Sequence, residues 1–142
     1  MSFLLPSTPG LLPKWLLFTA IVSVGNSIQA YSTLAFTSRV YNPTSIDPPP
    51  TTPKHVTALS SRTFGTWTFL AAVIRMYAAY NIENPAIYQL AMWAYMCAFG
   101  HFMSEWQVFR TTRWGLPLAG PMFISTGTLA WMFTQWNAYV TA

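Results

Sequence analysis

The sequence predicts an all-α integral membrane protein, a bundle of four transmembrane helices. Of its 142 residues, 53% are apolar, 17% aromatic and only 7% charged. Soluble domains carry about 25% charged residues, so the seven basic and three acidic side chains here cannot cover a water-facing surface. Disorder is excluded as well, because it requires low hydrophobicity and high charge. The apolar residues gather into four stretches separated by turn-forming residues. Each is long enough to cross a hydrocarbon core of ~30 Å, which takes about 20 helical residues. The length fits one membrane domain over 1–142.

The first span is expected over 14–36. It opens on Lys14-Trp15-Leu16-Leu17-Phe18 and carries Asn26 and Gln29. The stretch before Lys14 is apolar and proline-broken, which suits an uncleaved anchor better than the charged start of a signal peptide. Residues 41–55 are expected as a loop. Tyr41-Asn42-Pro43 and Asp47-Pro48-Pro49-Pro50 exclude helix, because proline removes a donor and clashes with the preceding turn. An extended spacer of polyproline II character follows.

The second span is expected over 60–80. Only twelve uncharged residues separate Arg62 from Arg75, so Arg75 must snorkel to an interface or pair inside the bundle. An amphipathic helix lying in the membrane plane is the alternative. Asn81 to Pro85 makes a short turn. The third span is expected over 86–109, rich in aromatics. Thr111 to Gly115 makes the next turn, flanked by Arg110 and Arg113. The fourth span is expected over 116–136, with Pro117 in its first turn, where proline is tolerated. Short connections make spans two to four antiparallel neighbours. Arg39, Lys54, Arg62, Arg110 and Arg113 fall on one side, against Lys14 and Arg75 on the other, which puts the proline-rich loop in the cytoplasm.

The charged residues exclude several functions. The net charge of +4 is dispersed, whereas a nucleic-acid site needs a clustered basic face. Cys97 is the one cysteine, so neither an intrachain disulfide nor a cysteine zinc cluster is available. No GxSxG, P-loop, GxGxxG or HExxH motif occurs. The two histidines, His55 and His101, cannot supply a di-iron centre. No catalytic, cofactor-binding or metal-binding residue is therefore expected.

Polar residues inside spans are the informative ones, because burying them in hydrocarbon is costly. His101 and Glu105 are four apart and share a helix face. That spacing suits two ligands of one metal, but further ligands are missing. A structural role is the preferred reading. Counting outward from the turn at Glu83 places Arg62 level with Glu105, as an ion pair near the interface. Asn26 and His101 fall near midplane, where a hydrogen bond would join the first and third helices. Ser23 with Ser27, and Ala94 with Ala98, are small pairs that permit close helix approach. Trp15, Trp106, Trp114, Trp131, Trp136 and Tyr139 lie near span ends, as interfacial anchors do.

Arg62-Thr63-Phe64-Gly65-Thr66-Trp67-Thr68, followed by Val73-Ile74-Arg75, and Gly100-His101-Phe102-Met103-Ser104-Glu105 form a specific combination. With Gly25-Asn26 and Gln29 they resemble the ergosterol-biosynthesis scaffold family, small four-span proteins of the endoplasmic reticulum. The resemblance covers about Trp15 to Trp136. It implies a non-catalytic, multi-pass tether for the sterol C-4 methyl oxidase, the sterol C-4 dehydrogenase/decarboxylase and the 3-keto sterol reductase. Contact with the sterol C-24 methyltransferase is also implied. Arg62, Phe64, Gly65, Trp67, Arg75, Gly100, His101 and Glu105 match the family pattern, which supplies no individual roles. The proline-rich loop looks longer than the family's usual first connection. The final residues, Asn137 to Ala142, lack the lysine-rich tail of some relatives, so retention through partners or span length is expected.

Two other readings stand beside the tether. One is a sterol- or lipid-binding carrier or small transporter with a polar face at His101 and Glu105. The other is a membrane enzyme subunit holding a metal or haem at His101. Membrane lipid is an expected partner, nucleic acid is not, and self-association is left open.

Overall fold

Residues 4–41 and 56–140 are described by the computed structural model. The described residues form an all-α fold of five helices: α1 (Leu12–Ser32), α2 (Leu34–Val40), α3 (Ala58–Tyr80), α4 (Pro85–Gln107) and α5 (Leu116–Tyr139). From residue 42 on, the proline-rich stretch expected over 41–55 lies outside the described residues, with Asp47, Lys54 and His55.

Local chemistry sets the helix ends. Thr57 and Ser60 form a reciprocal capping box at the start of α3, satisfying two otherwise orphaned donors. Asn84 accepts from the Ala86 and Ile87 backbone N–H groups, with Pro85 opening α4. Both are favoured N-terminal chemistries. The turn expected at Asn81 to Pro85 is therefore present, closed by Asn84 N–H donating to the Asn81 carbonyl at 3.1 Å. Residues 4–11 cross this same end, where the Tyr80 hydroxyl donates to the Leu4 carbonyl at 2.6 Å.

The first segment differs from expectation. One continuous helix was expected over 14–36, but the chain breaks at Thr33, which is extended at φ −151° and ψ 148°. Thr33 caps α2 by accepting from the Ala35 N–H at 3.1 Å, while Ser32 donates to the Ile28 carbonyl at 2.7 Å. Hydroxyl side chains compete here with the backbone ladder. The break lets α2 continue to Tyr41 along a new direction.

The long helices run antiparallel in sequence. α1 packs along α3, α4 along α5, and α3 meets α4. Close approach of α1 to α3 depends on small residues. Ser23, Ser27 and Ala30 face an α3 stripe of Ser61, Gly65, Thr68, Ala72 and Arg75, all buried. A Cβ on Gly65 would lie 2.7 Å from Tyr31 Cδ2 and 3.2 Å from the Ala30 Cβ. The Ser61 hydroxyl donates to the Ala30 carbonyl at 2.6 Å and lies 2.8 Å from Thr37 Oγ1, whose hydroxyl is left to donate to it.

Two apolar clusters form, one at each end of the bundle. Leu12, Leu16, Ile82, Tyr88 and Met132 lie at the Asn81 end. Val40, Phe64, Phe102, Leu118 and Met122 lie at the other. Helices α1, α3, α4 and α5, at 21, 23, 23 and 24 residues, each reach the ~30 Å of a hydrocarbon core. Among the described residues only α5 is apolar enough over its length to meet a membrane-span criterion by itself. Lys14, Asn26 and Gln29 dilute α1, Arg62 and Arg75 dilute α3, and His101 and Glu105 dilute α4.

Candidate functional site

Two polar centres sit inside the helix bundle. The first is built on Arg75, which is 8% exposed. It lies on the α3 stripe that faces α1, so it pairs inside the bundle and does not snorkel. Its Nη1 donates to Ser23 Oγ at 2.7 Å, and its guanidinium carbon sits 4.3 Å from the centre of the Tyr95 ring. Ser23 donates its own proton to the Thr19 carbonyl at 2.8 Å, which leaves its lone pairs for Arg75. Thr19 Oγ1 donates to the Leu16 carbonyl at 3.1 Å, so the Tyr95 hydroxyl, 2.6 Å away, donates to Thr19. Arg75 Nε is buried and has no acceptor among the described residues.

The second centre is built on His101. The Tyr41 hydroxyl lies 2.6 Å from His101 Nε2. Trp67, Phe102 and Tyr41 surround the imidazole edge to face, at centroid distances of 5.6, 5.2 and 5.9 Å. Phe64 closes the ring by packing on Tyr41 and Trp67. Burial, and next the Glu105 carboxylate, raise the Tyr41 hydroxyl well above the ordinary phenol range, so it remains a neutral O–H. Glu105 accepts from Thr111 Oγ1, and the Thr111 N–H bonds the Glu105 carbonyl at 2.9 Å, which closes the end of α4. Among the described residues no cluster of three metal-ligating side chains forms.

Neither expected polar pair is present. Arg62 is exposed, while Glu105 is engaged by Thr111. Counting residues from the turn addresses the level along each helix and says nothing of the azimuth. The buried stripe of α3 runs through Ser61, Gly65 and Thr68, which turns Arg62 outward. Asn26 does not meet His101 either. α1 packs on α3, and Tyr41, delivered by the break at Thr33, takes the imidazole.

A cavity of about 500 Å³ borders the cluster of Val40, Phe64 and Phe102. Its walls come from every helix and include Phe18, Phe64, Trp67, Phe102 and Ile124. Asn26, Gln29 and Arg75 also line it, and Arg39 joins them from α2. A second, more open cavity of about 510 Å³ exposes Tyr41, His101 and Glu105, with Phe64 and Trp67 forming the wall between the two. Of the residues singled out from sequence, Asn26, Gln29, Phe64, Trp67 and Arg75 thus meet at the first cavity, and His101 and Glu105 at the second. Gly65 holds α1 to α3, whereas Arg62 and Gly100 are exposed. Sequence reasoning missed Tyr41, Thr19, Tyr95 and Arg39. Thr19 and Tyr95 are ordinary apolar-helix residues in sequence, and Tyr41 and Arg39 lie past the expected end of the first span.

The motif combination extends to comparison with known proteins. The family described as Erg28 like protein matches residues 12–130. The chain belongs to the Erg28 family. Within the family, the protein named ergosterol biosynthetic protein 28 in Saccharomyces cerevisiae is 47% identical over 131 residues, covering 92% of this chain and 83% of that one. Its Candida albicans namesake is 42% identical over 138 residues, covering 96% and 94%. The human homologue is 30% identical over 122 residues, covering 85% and 81%. No solved structure matches. The match to the Erg28 family includes both polar centres and both cavities apart from residues outside 12–130, of which neither has any.

Proposed function

We propose that this chain works in sterol biosynthesis as a non-catalytic, four-span tether of the endoplasmic reticulum membrane. It holds together the sterol C-4 methyl oxidase, the sterol C-4 dehydrogenase/decarboxylase and the 3-keto sterol reductase, with the sterol C-24 methyltransferase as a further contact. The observation that carries this reading is family membership across nearly the whole chain, with relatives named for ergosterol biosynthesis. That name is not the name of an enzyme.

The helix surfaces support the membrane part. Phe18 and Ile28 on α1, Phe69 and Leu70 on α3, Trp93 on α4, and Phe123 and Phe133 on α5 are all exposed. Soluble monomers rarely expose large contiguous apolar patches, so these faces suit lipid and membrane-embedded partners. The four long helices are the spans, and the proline-rich loop lies on the cytoplasmic side. Tethering acts through effective concentration: linked enzymes receive each other's products before these dilute into the bilayer.

The test is a mild-detergent pull-down of the tagged chain from its native membrane, with proteins and sterols identified by mass spectrometry. Recovery of the C-4 demethylation enzymes supports the tether. Recovery of the chain without any of them removes it.

A further inference from the structure

We propose that the cavity lined by Arg75, Phe64 and Phe102 is a binding site for an amphipathic anion, an apolar body with one acidic headgroup whose counter-charge is Arg75. The inference rests on the cavity and stands apart from the tethering role.

Charge is the first argument. A guanidinium cannot shed its proton in a protein, and a buried cation is costly unless paired. Arg75 is 8% exposed, yet its protein partners are a serine hydroxyl and an aromatic ring. Its Nε is buried without an acceptor among the described residues. Among the described residues no Asp or Glu lines the cavity, while a second cation, Arg39, does. Among the described residues the polar side of the site is therefore cationic, with no counter-ion of its own.

Shape is the second argument. The volume of about 500 Å³ falls within the ~300–1,000 Å³ of small-molecule sites. Apart from the cations and a few amides and hydroxyls, the lining is apolar and aromatic, with Phe18, Trp67, Phe102 and Ile124 on its sides. A hydrophilic anion would leave those walls unmatched. A neutral lipid would leave Arg75 unmatched. Asn26 and Gln29 supply further hydrogen-bonding groups beside the apolar walls. The acidic group is either the carboxylate of a compact lipid acid or the headgroup of a bilayer phospholipid whose tails extend beyond the cavity.

Gly120 provides a clean steric test. It lines the cavity, and a Cβ there meets nothing within 4 Å. Gly120→Phe adds a ring at the cavity wall without a clash at the point of attachment. Gly127, on the same helix and equally open, does not line the cavity and serves as the control. The full chain in phosphatidylcholine nanodiscs is titrated with tritiated cholanic acid, against its methyl ester and against phosphatidic acid as competitors. The acid is expected to bind saturably, and the ester to bind about ten-fold or more weakly, as loss of a charged hydrogen bond requires. Gly120→Phe is expected to abolish binding and Gly127→Phe to leave it unchanged. Arg75→Gln is expected to remove the preference for acid over ester. If that variant fails to fold, the ester and Gly120 results decide. Displacement by phosphatidic acid assigns the site to a phospholipid headgroup, and resistance to it assigns the site to a compact lipid acid. No saturable binding, equal binding of acid and ester, or binding indifferent to Gly120→Phe overturns the proposal.

Discussion

The guanidinium carbon of Arg75, on α3, lies 4.3 Å from the ring centre of Tyr95, on α4. The same guanidinium donates to Ser23 on α1 at 2.7 Å. One side chain therefore joins three helices. Desolvated cation–π contacts reach about 2 kcal/mol, so a double-mutant cycle of Arg75→Gln and Tyr95→Leu is expected to give a coupling of ~0.5–2 kcal/mol. Reversible unfolding in detergent reads it, and additive losses would show that the two do not interact.

Gly65 is expected to tolerate no large side chain. Its Cβ position lies 2.7 Å from the Tyr31 ring, which is held by a hydrogen bond of 2.5 Å between the Tyr31 and Thr66 hydroxyls. Gly65→Leu is expected to lose about 1–3 kcal/mol, as overpacked contacts do. Cysteine cross-linking between α1 and α3 is expected to weaken in parallel. Unchanged cross-linking would mean that the helices do not meet at Gly65.

The Tyr41 hydroxyl gives a pH signature. Burial and Glu105 raise it in the folded chain, so the unfolded chain releases this proton first. Above the ordinary phenol value of about 10, the unfolded state binds fewer protons and stability falls as pH rises. Below that value the contribution is fully present. Tyr41→Phe is expected to reduce the alkaline loss of stability, and to lose about 1 kcal/mol at neutral pH with the His101 hydrogen bond. Identical alkaline slopes for both proteins would contradict this.

Asn84→Ala is expected to destabilise by about 0.5–2 kcal/mol, the usual effect of removing an N-cap. Asn84 Oδ1 accepts from Ala86 N–H at 3.0 Å and Ile87 N–H at 3.3 Å. Amide exchange at those two positions is expected to rise. Unaltered exchange would show that the cap is not formed.

Helix positions were legible where the chain carries its own punctuation. Asn84-Pro85 marks the start of α4, and Gly115-Leu116-Pro117 marks the start of α5. The break at Thr33 was not legible, because no proline or glycine marks it and the competing bonds of Ser32 and Thr33 are local. The constraint on Arg75 was legible from its distance to Arg62, but its partners were not. Residue counting fixes the level along a helix and leaves the direction open. Arg62 and Glu105 show the consequence, since counting pairs them and yet Arg62 is exposed while Glu105 is engaged by Thr111. Asn26, Gln29, Phe64, Trp67 and Arg75 were legible as notable residues, but the cavity they line was not, because it depends on the packing of all five helices.

Tethering without catalysis is the proposed role of the chain. Its most direct test removes the chain from its native membrane and measures two quantities together: the sterols that accumulate, and the activity of each C-4 demethylation enzyme assayed alone with excess substrate. The account predicts that 4-methyl sterols accumulate while each isolated enzyme keeps its activity. Loss of one enzyme's activity in the isolated assay, restored by adding back this chain, would contradict it.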